Sequence, residues 1–247
     1  YVWQHLLSIA QQLPPTLLLN ELISLGKAWL IGREERSEWT HIWQTLLECA
    51  SAIPQTIPLS DLLSIGHKWL AGREDAPQWF YVWRALLKNH LEPPQSQALA
   101  HLLILGHRWL SDHKERAEWF YVWQTLLENP QSLPHSITRI DLLALGGHWL
   151  DGREERAEWT HVWQALLSAN LDLVLPTSQP LLENLLSRGR HWLKGHEDRA
   201  EWTHVWQTLR ASSTALPDSL TLAELRVIGR NWLSGREERP DWTFIWQ

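Results

Sequence analysis

Residues 149–163 read Trp149-Leu150-Asp151-Gly152-Arg153-Glu154-Glu155-Arg156-Ala157-Glu158-Trp159-Thr160-His161-Val162-Trp163. Residues 192–206 repeat the pattern as Trp192-Leu193-Lys194-Gly195-His196-Glu197-Asp198-Arg199-Ala200-Glu201-Trp202-Thr203-His204-Val205-Trp206. Extending the three tryptophan marks in both directions accounts for all nineteen tryptophans of the chain. One series is Trp3, Trp43, Trp83, Trp123, Trp163, Trp206 and Trp246; the second is Trp29, Trp69, Trp109, Trp149, Trp192 and Trp232; the third is Trp39, Trp79, Trp119, Trp159, Trp202 and Trp242. The step is 40 residues, except for one of 43 between the fourth and fifth units. A fixed period of this size marks a stacked repeat array, in which each unit buries its apolar face against its neighbours. The expectation is a single array over 1–247, with units at about 13–52, 53–92, 93–132, 133–172, 173–215 and 216–247 and a partial helix at 1–12.

Within a unit, Leu142, Leu145, Gly146 and Trp149 fall at i, i+3, i+4 and i+7, which is one face of an α-helix, here called helix B. Gly152 is placed to end that helix in the left-handed conformation. Gly32, Gly72, Gly195 and Gly235 hold the same position, and Asp112 is the one non-glycine there. Arg153 to Leu167 predicts a second helix, A, with Trp159, Val162, Trp163, Leu166 and Leu167 on its apolar side and glutamates in its first turn. Two helices per period make the fold class all-α, an α/α solenoid of about six two-helix repeats. Proline-bearing loops before helix B carry the differences between units, including the three extra residues of the fifth.

Gly26, Gly66, Gly106, Gly146, Gly189 and Gly229 lie inside helix B on its apolar side, where glycine costs about 1 kcal/mol relative to alanine. That recurrence predicts a close approach by a neighbouring helix. Leu25-Gly26-x-x-Trp29, Ile65-Gly66-x-x-Trp69 and Leu105-Gly106-x-x-Trp109 resemble the leucine-glycine-aromatic core of the first helix in tetratricopeptide repeats. The period is longer than that family's, helix A lacks its small-residue pattern, and Arg188 replaces the leucine in the fifth unit. The Gly-Arg-Glu-Glu-Arg-x-Glu-Trp block is also similar to Trp-rich helical repeats attached to bacterial NTPase-type signalling and defence proteins.

A net charge of −6 over 247 residues argues against a general nucleic-acid or anionic-membrane binder, because phosphate contacts need concentrated positive charge. One cysteine, Cys49, excludes an internal disulfide and suits a reducing, cytoplasmic setting. The chain opens on Tyr1-Val2-Trp3-Gln4, in phase with Tyr121-Val122-Trp123-Gln124, as a piece of a longer protein would.

The helical phase assigns the tryptophans to the core: Trp29, Trp39, Trp43, Trp69, Trp79, Trp83, Trp109, Trp119, Trp123, Trp149, Trp159, Trp163, Trp192, Trp202, Trp206 and Trp232, together with the six helix-B glycines. Aromatic cages and base-stacking platforms are the competing reading, and they require exposed rings. None of the thirteen histidines is spaced i, i+4 as a helical zinc pair would be, so no metal is expected. No cofactor and no catalytic residue is expected either, since the acidic and glycine features recur in every unit whereas an active site is a singular feature. The Arg-Glu-Glu-Arg copies are expected to form ion pairs between repeats at the surface.

Function is expected on the face of helix B opposite its apolar stripe. Two columns run down it: Lys27, His67, His107, Gly147, Arg190 and Arg230, and beside them Ala28, Lys68, Arg108, His148, His191 and Asn231. In tetratricopeptide-like stacks the corresponding helix lines the concave groove, so the resemblance implies that Lys27, His67, Lys68, His107, Arg108, His148, Arg190, His191 and Arg230 bind a partner. Cations in a last helical turn also suit the helix dipole, with Glu21, Asp61, Asp141 and Glu224 as the matching early acids. The expected function is a non-catalytic scaffold for an acidic or phosphorylated protein or peptide, the sensor or partner-recognition segment of a larger intracellular signalling or defence protein. The alternative is a self-assembling module that closes into a ring or stacks end to end through its terminal half helices.

Overall fold

The structure is a computed structural model and describes residues 17–52, 59–90, 97–171, 179–213, 222–238 and Ile245. Among these residues the regular elements are α1 (Leu17–Leu30), α2 (Trp39–Ala52), α3 (Leu59–Leu70), α4 (Trp79–His90), α5 (Gln97–Asp112), α6 (Trp119–Glu128), α7 (Arg139–Trp149), α8 (Glu158–Leu171), α9 (Gln179–Leu193), α10 (Trp202–Ser213) and α11 (Leu222–Leu233), with one 3-10 turn at Pro130–Ser132. The chain is an all-α, α/α solenoid of two-helix repeats, with helix B in the odd-numbered elements and helix A in the even-numbered ones. Its contacts divide into two compact units: Tyr1–His113 with Asn129–Ile137, holding α1 to α5, and Lys114–Glu128 with Thr138–Gln247, holding α6 to α11. Within each unit every helix packs on the next, and A helices also touch the A helix one repeat on: α2 on α4 in the first unit, α6 on α8 and α8 on α10 in the second.

The tryptophans assemble the same way in both units. In the first, Trp39 lies between Trp43 of its own helix and Trp69 of the next repeat, with centroids 5.9 and 5.2 Å apart and rings near parallel. Trp79 is stacked in the same manner between Trp83 and Trp109. In the second unit Trp119 lies between Trp123 and Trp149, Trp159 lies between Trp163 and Trp192, and Trp202 stacks on Trp232. All fifteen tryptophans from Trp39 to Trp232 are at most 4 % exposed, which rules out their serving as open stacking platforms. Aromatic pairs in such offset geometry add about 0.5–1.5 kcal/mol each beyond their buried area. Trp29 departs from the expectation and is only half-buried. Trp3, Trp242 and Trp246 lie outside the described residues, as do nearly all of the terminal half helices on which end-to-end assembly was expected to depend.

Each tryptophan mark also has its own hydrogen bond. Trp43, Trp83, Trp123, Trp163 and Trp206 donate Nε1–H to the carbonyls of Leu62, Leu102, Leu142, Leu185 and Leu225 in the middle of the next helix B, at 2.7–3.0 Å. Trp69, Trp109, Trp149, Trp192 and Trp232 donate to the carbonyls of Glu34, Glu74, Lys114, Glu154 and Glu197 in the previous repeat. Trp39, Trp159 and Trp202 donate to the last leucine of the preceding helix B, Leu30, Leu150 and Leu193. A buried N–H left unpaired costs about 1–3 kcal/mol, so these bonds favour the observed facing of the rings that make them. The buried Nε1 of Trp79 has no partner among the described residues, and its stacking on Trp83 and Trp109 sets its orientation.

The first mark explains the glycines. A Cβ added at Gly66, Gly106, Gly146 or Gly189 would stand 2.4–2.6 Å from Cζ2 of Trp43, Trp83, Trp123 or Trp163. The neighbour that approaches is therefore an indole and not a bare helix backbone. At Gly229 the gap to Trp206 is 3.1 Å, and Gly26 meets Leu46 at 3.1 Å.

Two expectations about helix ends are corrected. Helix A does not begin at the Arg-Glu-Glu-Arg block: α8 starts at Glu158, and Arg153 to Ala157 form consecutive tight turns in which Arg156 N–H reaches Arg153 O and Trp159 N–H reaches Arg156 O. The block stays outside the helix because its backbone is used between repeats, the Glu154 carbonyl by Trp192 and the Glu115 carbonyl by Arg156. Gly32, Gly72, Gly152 and Gly235 adopt φ between 70° and 78°, the left-handed end expected of them. Gly195 does not, and Asp112 remains helical as the last residue of α5. These two positions precede histidines, His113 and His196, where the other units have arginine. At His113 the backbone N–H continues the helix to Trp109 O, so no left-handed residue is needed before it.

Candidate partner-binding face

The columns expected on helix B separate by environment. In the first unit Lys27 is half-buried and its Nζ lies 2.5 Å from Asp61 Oδ2 on the next helix B. His67, at the same position one repeat on, turns instead to His90, with the two Nε2 atoms 3.1 Å apart. His107 is half-buried, whereas Lys68 and Arg108, in the second column, are exposed and form no ion pair among the described residues.

In the second unit Arg190 repeats the arrangement of Lys27, its guanidinium 3.1 Å from Glu224 on α11. His148, His191 and Arg230 are exposed, with His148 Nδ1 3.9 Å from Asp151. Asp141, expected only as a dipole partner, is half of a capping box with Thr138: it accepts from the Thr138 backbone N–H at 3.1 Å, and its own N–H donates to Thr138 Oγ1. The first column thus lies in the seam between repeats and is largely engaged by the protein itself. The second column faces solvent.

A cleft of about 970 Å³ opens in the second unit between α9 and α11. Arg190, His191 and Lys194 line it from the α9 side, Val227 and Asn231 from the α11 side, and Arg236, just past α11, lines it as well. Val227 is 54 % exposed, so the cleft offers apolar surface beside its cations. Three cations, Arg190, Lys194 and Arg236, outnumber the two carboxylates Glu197 and Glu224. A smaller cleft of about 510 Å³ repeats the arrangement one unit earlier, bounded by Ser187, Arg188 and His191 of α9 and by Glu154. His191 belongs to both. Of the expected binding residues in the second unit, the larger cleft therefore gathers Arg190 and His191 and not His148 or Arg230.

Sequence reasoning missed the residue four after each second-mark tryptophan. Arg73, Arg153 and Arg236 each donate to the carbonyl of that tryptophan, hold their guanidinium over its ring at 5.6–5.8 Å, and pair with Glu35, Glu115 and Asp198 of the previous repeat. His113 and His196 take the same place, stacked on Trp109 and Trp192 at 4.7 and 4.6 Å and set against Asp75 and Glu155. The signal was present as a basic residue at a constant offset from tryptophan. The expected ion pairs between repeats are these, supplemented by Arg156 to Glu115 and Arg199 to Glu155. The hydrogen bond from Arg153 holds the Glu115 carboxyl below its ordinary range, and that from Arg199 does the same for Glu155.

Among the described residues no three His, Cys, Asp or Glu side chains are gathered at metal-ligand spacing, and no helix is long and apolar enough to cross a membrane. No protein-family model, no curated protein and no solved structure matches this sequence.

Proposed function

We propose that this chain is a non-catalytic scaffold that binds an acidic or phosphorylated peptide segment along helix B, as the partner-recognition part of a larger intracellular signalling or defence protein. The observation that carries the reading is the cleft between α9 and α11, whose lining combines Arg190, Lys194 and Arg236 with the exposed Val227. Guanidinium groups bind carboxylates and phosphates through paired, charge-assisted hydrogen bonds, and a lysine adds a point charge. An apolar side chain in the same lining supplies a contact that is desolvated on binding and adds affinity to the charge. Glu224 pairs with Arg190 at 3.1 Å, and an incoming anion competes with it for the same guanidinium.

The test is fluorescence anisotropy of a panel of labelled decapeptides, acidic, phosphorylated, neutral and basic, titrated with the full chain. The acidic and phosphorylated peptides are expected to bind, with affinity falling as salt rises. Lys194→Glu combined with Val227→Asp should abolish that binding with helicity unchanged. Equal binding of acidic and basic peptides, or an unaffected double variant, would remove the proposal.

A further inference from the structure

At two places the seam between consecutive B helices carries an ion pair. Lys27 meets Asp61 and Arg190 meets Glu224, both 34 residues apart. The corresponding positions in the second repeat are His67 and His101, two imidazoles and no carboxylate. A third, His90 at the end of α4, turns toward His67. At the position of His90 the other repeats have Ala50, Pro130, Asn170 and Ser213, none of them a metal ligand. The three histidines therefore come together in one repeat only, as a site does and a recurring packing device does not.

From this geometry we infer that His67 and His90 form a divalent transition-metal site bridging α3 and α4, for an imidazole-preferring ion of the Zn²⁺ class. Bonds of about 2.05 Å to one ion put two nitrogens about 2.9 Å apart at a right angle and about 3.4 Å apart at the tetrahedral angle. The observed Nε2 to Nε2 distance of 3.1 Å lies between those values. The rings are tilted by 51° with centroids 5.3 Å apart, so the two Nε2 atoms face each other across the present hydrogen bond, and both rings must turn for their lone pairs to meet on an ion beside it. Without metal, one Nε2–H donates to the other Nε2. With metal, that hydrogen moves to Nδ1 through solvent, both Nε2 atoms become ligands, and two waters leave the hydrated ion. Water fills the remaining positions.

The i, i+4 spacing rule overlooked this pair because its members come from two helices and are 23 residues apart.

Zn²⁺ titrated by calorimetry into the tag-free chain tests the site, with His67→Asn, His90→Asn and the exposed His148→Ala as variants. Losing an outer-shell partner already costs about tenfold in metal affinity, so removing either ligand should cost at least that. The expected result is one ion per chain at the strongest site, weakened tenfold or more in His67→Asn and His90→Asn and unchanged in His148→Ala. Diethyl pyrocarbonate labelling of the unaltered chain needs no variant to fold: Zn²⁺ should protect His67 and His90 and leave His148 reactive. Unchanged affinity in both ligand variants, absence of binding, or protection of other histidines instead would each overturn the inference.

Discussion

Gly146 and Gly147 are neighbours in α7, yet alanine should have opposite effects at the two sites. A Cβ at Gly146 would lie 2.6 Å from Cζ2 and 2.9 Å from Cε2 of Trp123, about 1 Å inside ordinary carbon contact. The indole has little freedom to retreat. Its Nε1 donates to Leu142 O at 2.7 Å, and its ring stacks on Trp119, which in turn stacks on Trp149. Overpacking a dense core costs about 1–3 kcal/mol. If the ring shifts enough to lose its hydrogen bond, the stranded buried N–H adds about 1–3 kcal/mol. Alanine returns about 1 kcal/mol of helix propensity, leaving a net loss between nearly nothing and about 5 kcal/mol, with a centre near 3. At Gly147 an added Cβ meets nothing within 4 Å, so Gly147→Ala keeps only the propensity gain, up to about 1 kcal/mol. Urea denaturation followed by far-UV circular dichroism compares the two variants, and tryptophan fluorescence reports whether the Trp123 environment changes. The reasoning fails if Gly146→Ala is as stable as Gly147→Ala, because the indole would then not be what excludes a side chain.

Trp192→Phe keeps an aromatic ring against Trp159 but removes the donor to Glu154 O, and should cost about 1 kcal/mol or more in the same urea assay. Arg153→Met removes the contacts to Trp149 O and Glu115, and the Glu115 carboxyl should titrate higher by carboxyl NMR in that variant, since the lost hydrogen bond is what holds it down. Two acid windows follow from linkage. His67 and His90 have folded pKa values below 6.5, so the unfolded chain takes up their protons first, and stability should fall as pH drops below 6.5 toward those lower values. Glu115 and Glu155 are held below 4.5, so their contribution is complete above 4.5 and is lost only as pH falls through their folded values. Thermal melts across pH 7 to 3 should show both steps, and His67→Asn combined with His90→Asn should remove the upper one alone.

The repeat, the pairing of helices and the burial of tryptophan were legible because each is written several times over. A ring such as Trp83 shares a helical face with Val82 and Leu86 in every copy, and period alone assigns it to the core. The helix boundary at Glu158 was not legible. Arg153 to Ala157 have the composition of a first helical turn, and only the indole of Trp192, 38 residues away and in need of the Glu154 carbonyl, explains why those residues form turns instead. The basic columns of helix B were visible as a pattern, but Lys27 and Arg190 are held by acids from the next repeat whereas Lys68 and His191 are open to solvent.

By itself, then, the sequence determined an α/α solenoid with a tryptophan core and a glycine required at one phase of every helix B. Periodicity reports contacts that recur in each unit, and a recurring contact leaves a recurring residue. Tertiary structure alone decided that an indole occupies the space at Gly66, that Arg73 and its counterparts tie repeats together over a tryptophan ring, and that His67 meets His90. These depend on distances between helices and on side-chain direction, and a feature that occurs in one repeat only has no period by which a sequence could announce it.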